Sequence, residues 1–154
     1  MNDRSVHVVT GGAGFIGSNI VAALAERHAD VVVIDTLGSD EKWRNIAKRR
    51  LDDIVDPAQT ITALDELAPS IASVIHMGAI SSTTETDIGR IIESNFRYSC
   101  RLWLWCAAHD VPLIFASSAA TYGDGANGFD DRSDPTYLAQ LKPLNAYGLS
   151  LIHI

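Results

Sequence analysis

The stretch TGGAGFIGS, residues 10–18, constrains this chain more than any other. It follows a short β-branched run, VHVVT (Val6 to Thr10), and leads into residues whose apolar positions recur at helical spacing, Phe15 to Arg27. Strand, glycine turn and helix in direct succession are the opening of a βαβ unit. Gly11, Gly14 and Gly17 form G-x-x-G-x-x-G, and each has a physical task. The first permits the tight turn, the second lets backbone approach a pyrophosphate, and the third allows helix and strand to pack closely. A phosphate would then lie at the positive end of the helix, facing its free amides. A glycine triplet alone is weak evidence; one set between a strand and a helix points to a dinucleotide.

The remaining pattern fits the same unit repeated. The first helix is expected to pack through Ile16, Ile20, Ala23 and Leu24. VVVID (Val31 to Asp35) reads as a second strand, and a weaker third is expected near Arg50 to Asp53. A helix over Pro57 to Leu67 opens with Asp56 as its cap. ASVIHM (Ala72 to Met77) is a fourth strand, followed by a long helix over Asp87 to His109, then VPLIFAS (Val111 to Ser117) as a fifth. Apolar strands alternating with helices give a parallel sheet covered on both faces, an α/β Rossmann-type, doubly wound architecture ending after about five strands. Right-handed crossovers and a glycine loop on the first strand give the order 3-2-1-4-5, with the fifth strand at an edge. The polar stretch from Gly123 to Pro143 reads as a long loop, functional or mobile.

Composition excludes several roles. The net charge of −7 argues against a nucleic-acid or anionic-membrane surface. No apolar run reaches the roughly 20 residues of a membrane span. The amino terminus enters the first strand at once, which gives no sign of a leader and makes the cytoplasm the default. Cys100 and Cys106 lie six positions apart in one helix, match no zinc pattern and read as packing residues, so no metal is expected. His76 reads as a strand-end packing residue, and Trp103 and Trp105 as packing or interface residues.

Asp35 ends the second strand, 18 positions after Gly17, where an acid accepts a bond from the adenosine ribose. An acid there favours NAD, whereas Lys42 offsets the repulsion of a 2′-phosphate, so charge leaves NAD and NADP open. Asp53 and Ile54, after the third strand, are candidates to flank the adenine. The fifth strand runs into SSAATYG (Ser117 to Gly123), setting hydroxyls at the carboxyl end of a parallel strand. KPLNAYG then brings Tyr147 to the start of a helix. A phenol serves as an acid/base only where a neighbouring cation lowers its pKa.

VTGGAGFIGSNIV, GAISSTTETD, ESNFRYS, ASSAATYG and KPLNAYG together resemble the extended short-chain dehydrogenase/reductase superfamily, in its NAD-dependent epimerase/dehydratase branch. Within it the pattern is similar to the ADP-glyceromanno-heptose 6-epimerases. That resemblance implies Phe15 and Ile16 at the pyrophosphate, and Asp35, Thr36 and Lys42 around the adenosine ribose. It places Met77, Gly78, Ala79, Ile80 and Ser81 along the cofactor, with Asn95 nearby. It makes Ser118 the catalytic hydroxyl and Tyr147 an acid/base, and NADP the expected cofactor. Pro57 stands where a second cofactor lysine is expected, which weakens the NADP assignment. The implied reaction is epimerisation of an ADP-heptose at C6″, for lipopolysaccharide core synthesis, in a homo-oligomer.

The pattern needs lysine four residues after the tyrosine, where this chain has Leu151. Two readings stand: an inactive natural homologue, or a foreign ending. Residues 149–154, LSLIHI, fit the translation of a transposon end, so the dinucleotide-binding domain is expected to comprise 1–148, incomplete, with a non-native tail after it. Another nucleotide-sugar epimerase or dehydratase, and a non-catalytic dinucleotide-binding module, are the alternative functions.

Overall fold

In the computed structural model, which describes residues 5–39 and 41–154, five parallel strands form one sheet in the order β3-β2-β1-β4-β5. The residues before Ser5, on which the expectation of no leader partly rests, lie outside the described set. The elements are β1 (Val6–Thr10), α1 (Phe15–Glu26), β2 (Asp30–Ile34), β3 (Asp53–Val55), α2 (Thr60–Leu67), β4 (Ile71–His76), α3 (Ile88–Ile91), α4 (Tyr98–Ala108), β5 (Leu113–Phe115), α5 (Pro135–Leu138) and α6 (Ala146–Ile152). β1 pairs with β2 from Val6 opposite Asp30 to Thr10 opposite Ile34, and with β4 on its other side. The described chain groups into two compact units. The first comprises the described residues up to 78 together with 101–116, and the second comprises 79–100 and 117–154.

The first unit holds the whole sheet. Val8, Val9, Val31, Val33 and Val74 are fully buried, as β-branched residues of a two-sided parallel sheet should be. On one face Val9, Val31, Val33 and Ile75 gather Ala13, Val21 and Ile46, with Ile20, Leu24 and Met77 packed around them. Of the expected helix face, Ile20 and Leu24 pack as read, and Ile16 and Ala23 do not. Ile16 is 60% exposed and Ala23 is also exposed, while Gly17 and Val21 are buried. α1 meets the sheet at Gly17, where it has no side chain, and Val21 with Ile20 and Leu24 completes the packed face.

β3 also shifts. It runs over Asp53–Val55, not Arg50 to Asp53: Asp52 meets β2 at Val31, its carboxylate accepting the Val31 amide (2.7 Å) and its own amide donating to the Val31 carbonyl (2.9 Å), and the paired residues begin with Asp53 opposite Val32. Asp53 and Ile54 therefore stand within the strand. The Asp56 side chain caps the turn before α2 as expected, accepting from the Ala58 amide at 2.9 Å. β5 lies at the sheet edge with Ile114 56% exposed. Trp105 is buried, its indole N–H donating to Asp65 (2.7 Å), whereas Trp103 is exposed. Among the described residues no helix is long and apolar enough to cross a membrane.

His76 closes β4 inside this unit. It shares a hydrogen bond of 2.5 Å with Thr10 Oγ1 and stacks on Phe115. Burial lowers its pKa from the ordinary 6.5 to about 4. The unfolded chain takes up this proton near pH 6.5 and the folded chain only near 4, so the stability held above 6.5 is lost as pH falls through that window. The loss expected between pH 7 and 4 is about 3 kcal/mol from this group. Urea unfolding at several pH values should give His76→Gln a flatter acid limb than the parent; equal limbs would contradict the assignment.

Candidate functional site

The glycine loop joins β1 to α1. Gly11 has φ +64°, a conformation that glycine adopts without strain, and a Cβ there would lie 2.7 Å from the Gly78 backbone. A Cβ on Gly17 would lie 2.1 Å from the Gly11 carbonyl oxygen. The loop is thus folded under the start of α1, and Met77 and Gly78, at the end of β4, close against it. No side chain caps α1, whose first residues Phe15 and Ile16 are 85% and 60% exposed. An uncapped first turn leaves amides aimed outward at the positive end of the helix dipole. That arrangement fits an anion with several oxygens, such as a pyrophosphate.

Asp35 follows β2, its side chain only 7% exposed. Oδ2 accepts the Ala13 amide at 2.9 Å, and Oδ1 pairs with Lys42 Nζ at 2.7 Å. Lys42 also donates to the Thr36 carbonyl at 3.1 Å. The amide of Asp35 binds the carbonyl of Val55, which sets Asp53 and Ile54 one strand away, both exposed. The sequence-expected adenosine side, Asp35, Thr36, Lys42, Asp53 and Ile54, therefore collects at one end of β2 and β3. An acid that accepts and a lysine that donates, side by side, suit a ribose hydroxyl or a phosphate on it. Sequence reasoning did not find Asn45, whose side chain reaches the same loop.

The second unit carries the hydroxyl and the phenol. Ser118 caps the helical turn Ala119–Tyr122, its Oγ accepting from the Ala120 amide at 3.2 Å. Tyr147 lies in the first turn of α6, which Asn145 caps by accepting from the Gly148 amide at 2.8 Å. A Cβ on Gly148 would lie 2.5 Å from the Ala120 carbonyl oxygen, so glycine lets α6 rest directly on the Ser118 turn. Ser117, Ser118, Thr121, Asp131 and Leu151 are among the residues lining a cavity of about 410 Å³; Tyr147 is not. Leu151 is 5% exposed, and α6 continues through Ile152. The stretch between Ser118 and α6 is tied down: Tyr137 is buried, and its hydroxyl donates to the Gly128 carbonyl and accepts from the Asp130 amide.

Asn95 is fully buried, in a π-helical turn over Ile92–Arg97. Its oxygen accepts the Ile80 amide (2.8 Å), and its nitrogen donates to the Ile80 carbonyl (3.0 Å) and to Ser150 Oγ (3.0 Å). Ser150 in turn donates to the Tyr147 carbonyl at 2.7 Å. The Ser99 hydroxyl takes the Asn95 carbonyl, satisfying a backbone acceptor of this wide turn. Asn95 thus ties the segment of Ala79, Ile80 and Ser81 to the start of α6 through its bonds to Ile80 and Ser150.

Three comparisons bear on this arrangement. The chain matches the NAD dependent epimerase/dehydratase family model over residues 7–154. ADP-L-glycero-D-manno-heptose-6-epimerase of Fusobacterium nucleatum is 46% identical over 146 residues, 93% of this chain and 44% of that protein. The protein of that name in Nitratidesulfovibrio vulgaris is 47% identical over 148 residues, 94% of this chain and 45% of that one. The chain therefore spans less than half the length of these curated relatives. Among solved structures, Helicobacter pylori ADP-L-glycero-D-manno-heptose-6-epimerase superposes with a TM-score of 0.76 at 25% identity, over 99% of this chain and 49% of that one. MoeE5 in complex with UDP-glucuronic acid and NAD gives 0.74 at 27%, over 96% and 46%.

Proposed function

This chain belongs to the NAD dependent epimerase/dehydratase family, and from that premise we propose that it is part of an ADP-L-glycero-D-manno-heptose-6-epimerase of lipopolysaccharide core synthesis, working in the cytoplasm as a homo-oligomer. The observation that carries this reading is the 46–47% identity to heptose epimerases along nearly the whole chain. Glycine loop, Asp35 and Lys42 would hold the dinucleotide. Lys42, already poised 2.7 Å from Asp35, supports NADP, since it can turn to a 2′-phosphate that would otherwise meet the acid alone. When bound there, the cofactor would supply the hydride chemistry of the epimerisation, removal at C6″ and return to the opposite face.

The chain's own groups have narrower tasks. Ser118 would hydrogen-bond the C6″ oxygen and hold it for proton transfer, and Tyr147 would take that oxygen's proton and later return it. Gly148 supports this pairing by seating the tyrosine's helix on the serine's turn. A second reading, binding without turnover, is favoured by Leu151, which provides no cation beside the phenol.

The test is a graft: residues 1–148 joined to the remaining length of the Fusobacterium relative, offered ADP-D-glycero-D-manno-heptose. Epimerised heptose is expected, and Tyr147→Phe should lower its rate by about 10²–10⁴-fold, as for loss of an acid/base group. Turnover of UDP-sugars in place of ADP-heptose would move the chain to another substrate class within the family.

A further inference from the structure

We propose that Asn45 is a positioning residue for the dinucleotide pyrophosphate, an inference that rests on the dinucleotide reading above. Asn45 ends the short helical turn Glu41–Asn45, 32 residues from the loop it touches. Its Nδ2 donates to the carbonyl of Ala13 at 2.8 Å. Ala13 is itself fully buried, and its amide is held by Asp35. The peptide that joins Ala13 to Gly14 is therefore gripped at both ends. Asn45 holds its carbonyl, and its N–H, on Gly14, donates to the Gly11 carbonyl at 3.0 Å.

A peptide is planar, so fixing the direction of its carbonyl fixes the direction of its N–H. Gly14 is the residue before α1, and the outward amides of Phe15 and Ile16 follow it directly. Glycine resists rotation least of all residues, so a loop of four glycines in seven positions needs an outside hold to keep its amides convergent. Asn45 supplies that hold from a neighbouring turn. Lys42 of the same turn grips Asp35, so one five-residue segment braces the loop at its carbonyl and, through Asp35, at its amide. Asn45 itself is exposed and lies outside the hydrophobic core, so its main effect is on the geometry of the loop.

Amide NMR titrations of the full chain separate this role from a general one. ADP-ribose carries the pyrophosphate; 2′-AMP carries the adenosine and a 2′-phosphate without it. Asn45→Ala and Asn45→Asp should each weaken ADP-ribose by about tenfold, the order of one hydrogen bond, and leave 2′-AMP unchanged. Lys42→Ala should weaken 2′-AMP more than ADP-ribose. Without ligand, the Phe15 and Ile16 amides should exchange with solvent faster in Asn45→Ala, at an unchanged melting temperature. Unchanged ADP-ribose affinity in both Asn45 variants would overturn the proposal, and so would equal weakening of both probes. A parent chain that binds neither probe would overturn the dinucleotide reading itself, and the proposal with it.

Discussion

Gly17→Ala is expected to destabilise the chain by about 3 kcal/mol or more, a large part of the 5–15 kcal/mol that holds a typical domain together. Helix propensity alone points the other way, since alanine inside a helix is favoured over glycine by about 1 kcal/mol. The contact decides the sign. The new Cβ would lie 2.1 Å from the Gly11 carbonyl oxygen and 2.8 Å from Gly12 Cα, both backbone atoms with no flexible side chain to give way. α1 would have to lift from the sheet, opening the cluster of Val9, Val21, Val31 and Val33. Urea unfolding followed by circular dichroism measures this. A variant as stable as the parent would mean that α1 and the glycine loop are not packed as described.

The second large effect concerns position 151. Two versions of the graft described above, lysine at 151 in one and leucine in the other, are expected to differ by about 10²–10⁴-fold in the rate of heptose epimerisation. Leucine offers no charge to favour the phenolate of Tyr147 and no donor toward a ribose. Leu151 is 5% exposed and lines the cavity that Ser118 also lines, so the change falls beside the proposed catalytic hydroxyl. Equal rates would show that the tyrosine works without a cation at this position, and would remove the main support for a non-catalytic reading. Leu151→Lys in the 154-residue chain alone is expected to yield no epimerised product, because the chain spans about 45% of its relatives.

Some of this was legible in the sequence and some was not, for reasons that lie in the residues. Gly11, Gly14 and Gly17 were legible because the requirement they meet is local: a turn, then backbone against backbone. Strand order followed from handedness once the loop was assigned to β1. The exposed Ile16 misled because periodicity counts apolar side chains, whereas α1 meets the sheet where it has none, at Gly17. β3 was displaced because three residues, two of them exposed, carry little pattern. Asp35 was singled out by its distance from the glycines, but its grip on Ala13 was not legible. Asn45 and Ser150 were missed altogether. Each is a single polar residue whose partner lies 32 or 55 positions away, and nothing in the intervening sequence marks the pair. Asn95 was placed near the cofactor by resemblance; its burial and its bonds to Ile80 and Ser150 could not be read from the sequence.

The central claim is that the loop between β1 and α1 is a pyrophosphate cradle, with the adenosine side at Asp35. Amide NMR of the chain titrated with NAD⁺ to millimolar concentration tests it most directly. The account predicts saturable shifts concentrated at Gly11 to Gly17, with Asp35, Thr36 and Ile54 moving together with them. Shifts confined to other residues, or none at Gly11 to Gly17 while the chain remains folded, would contradict it.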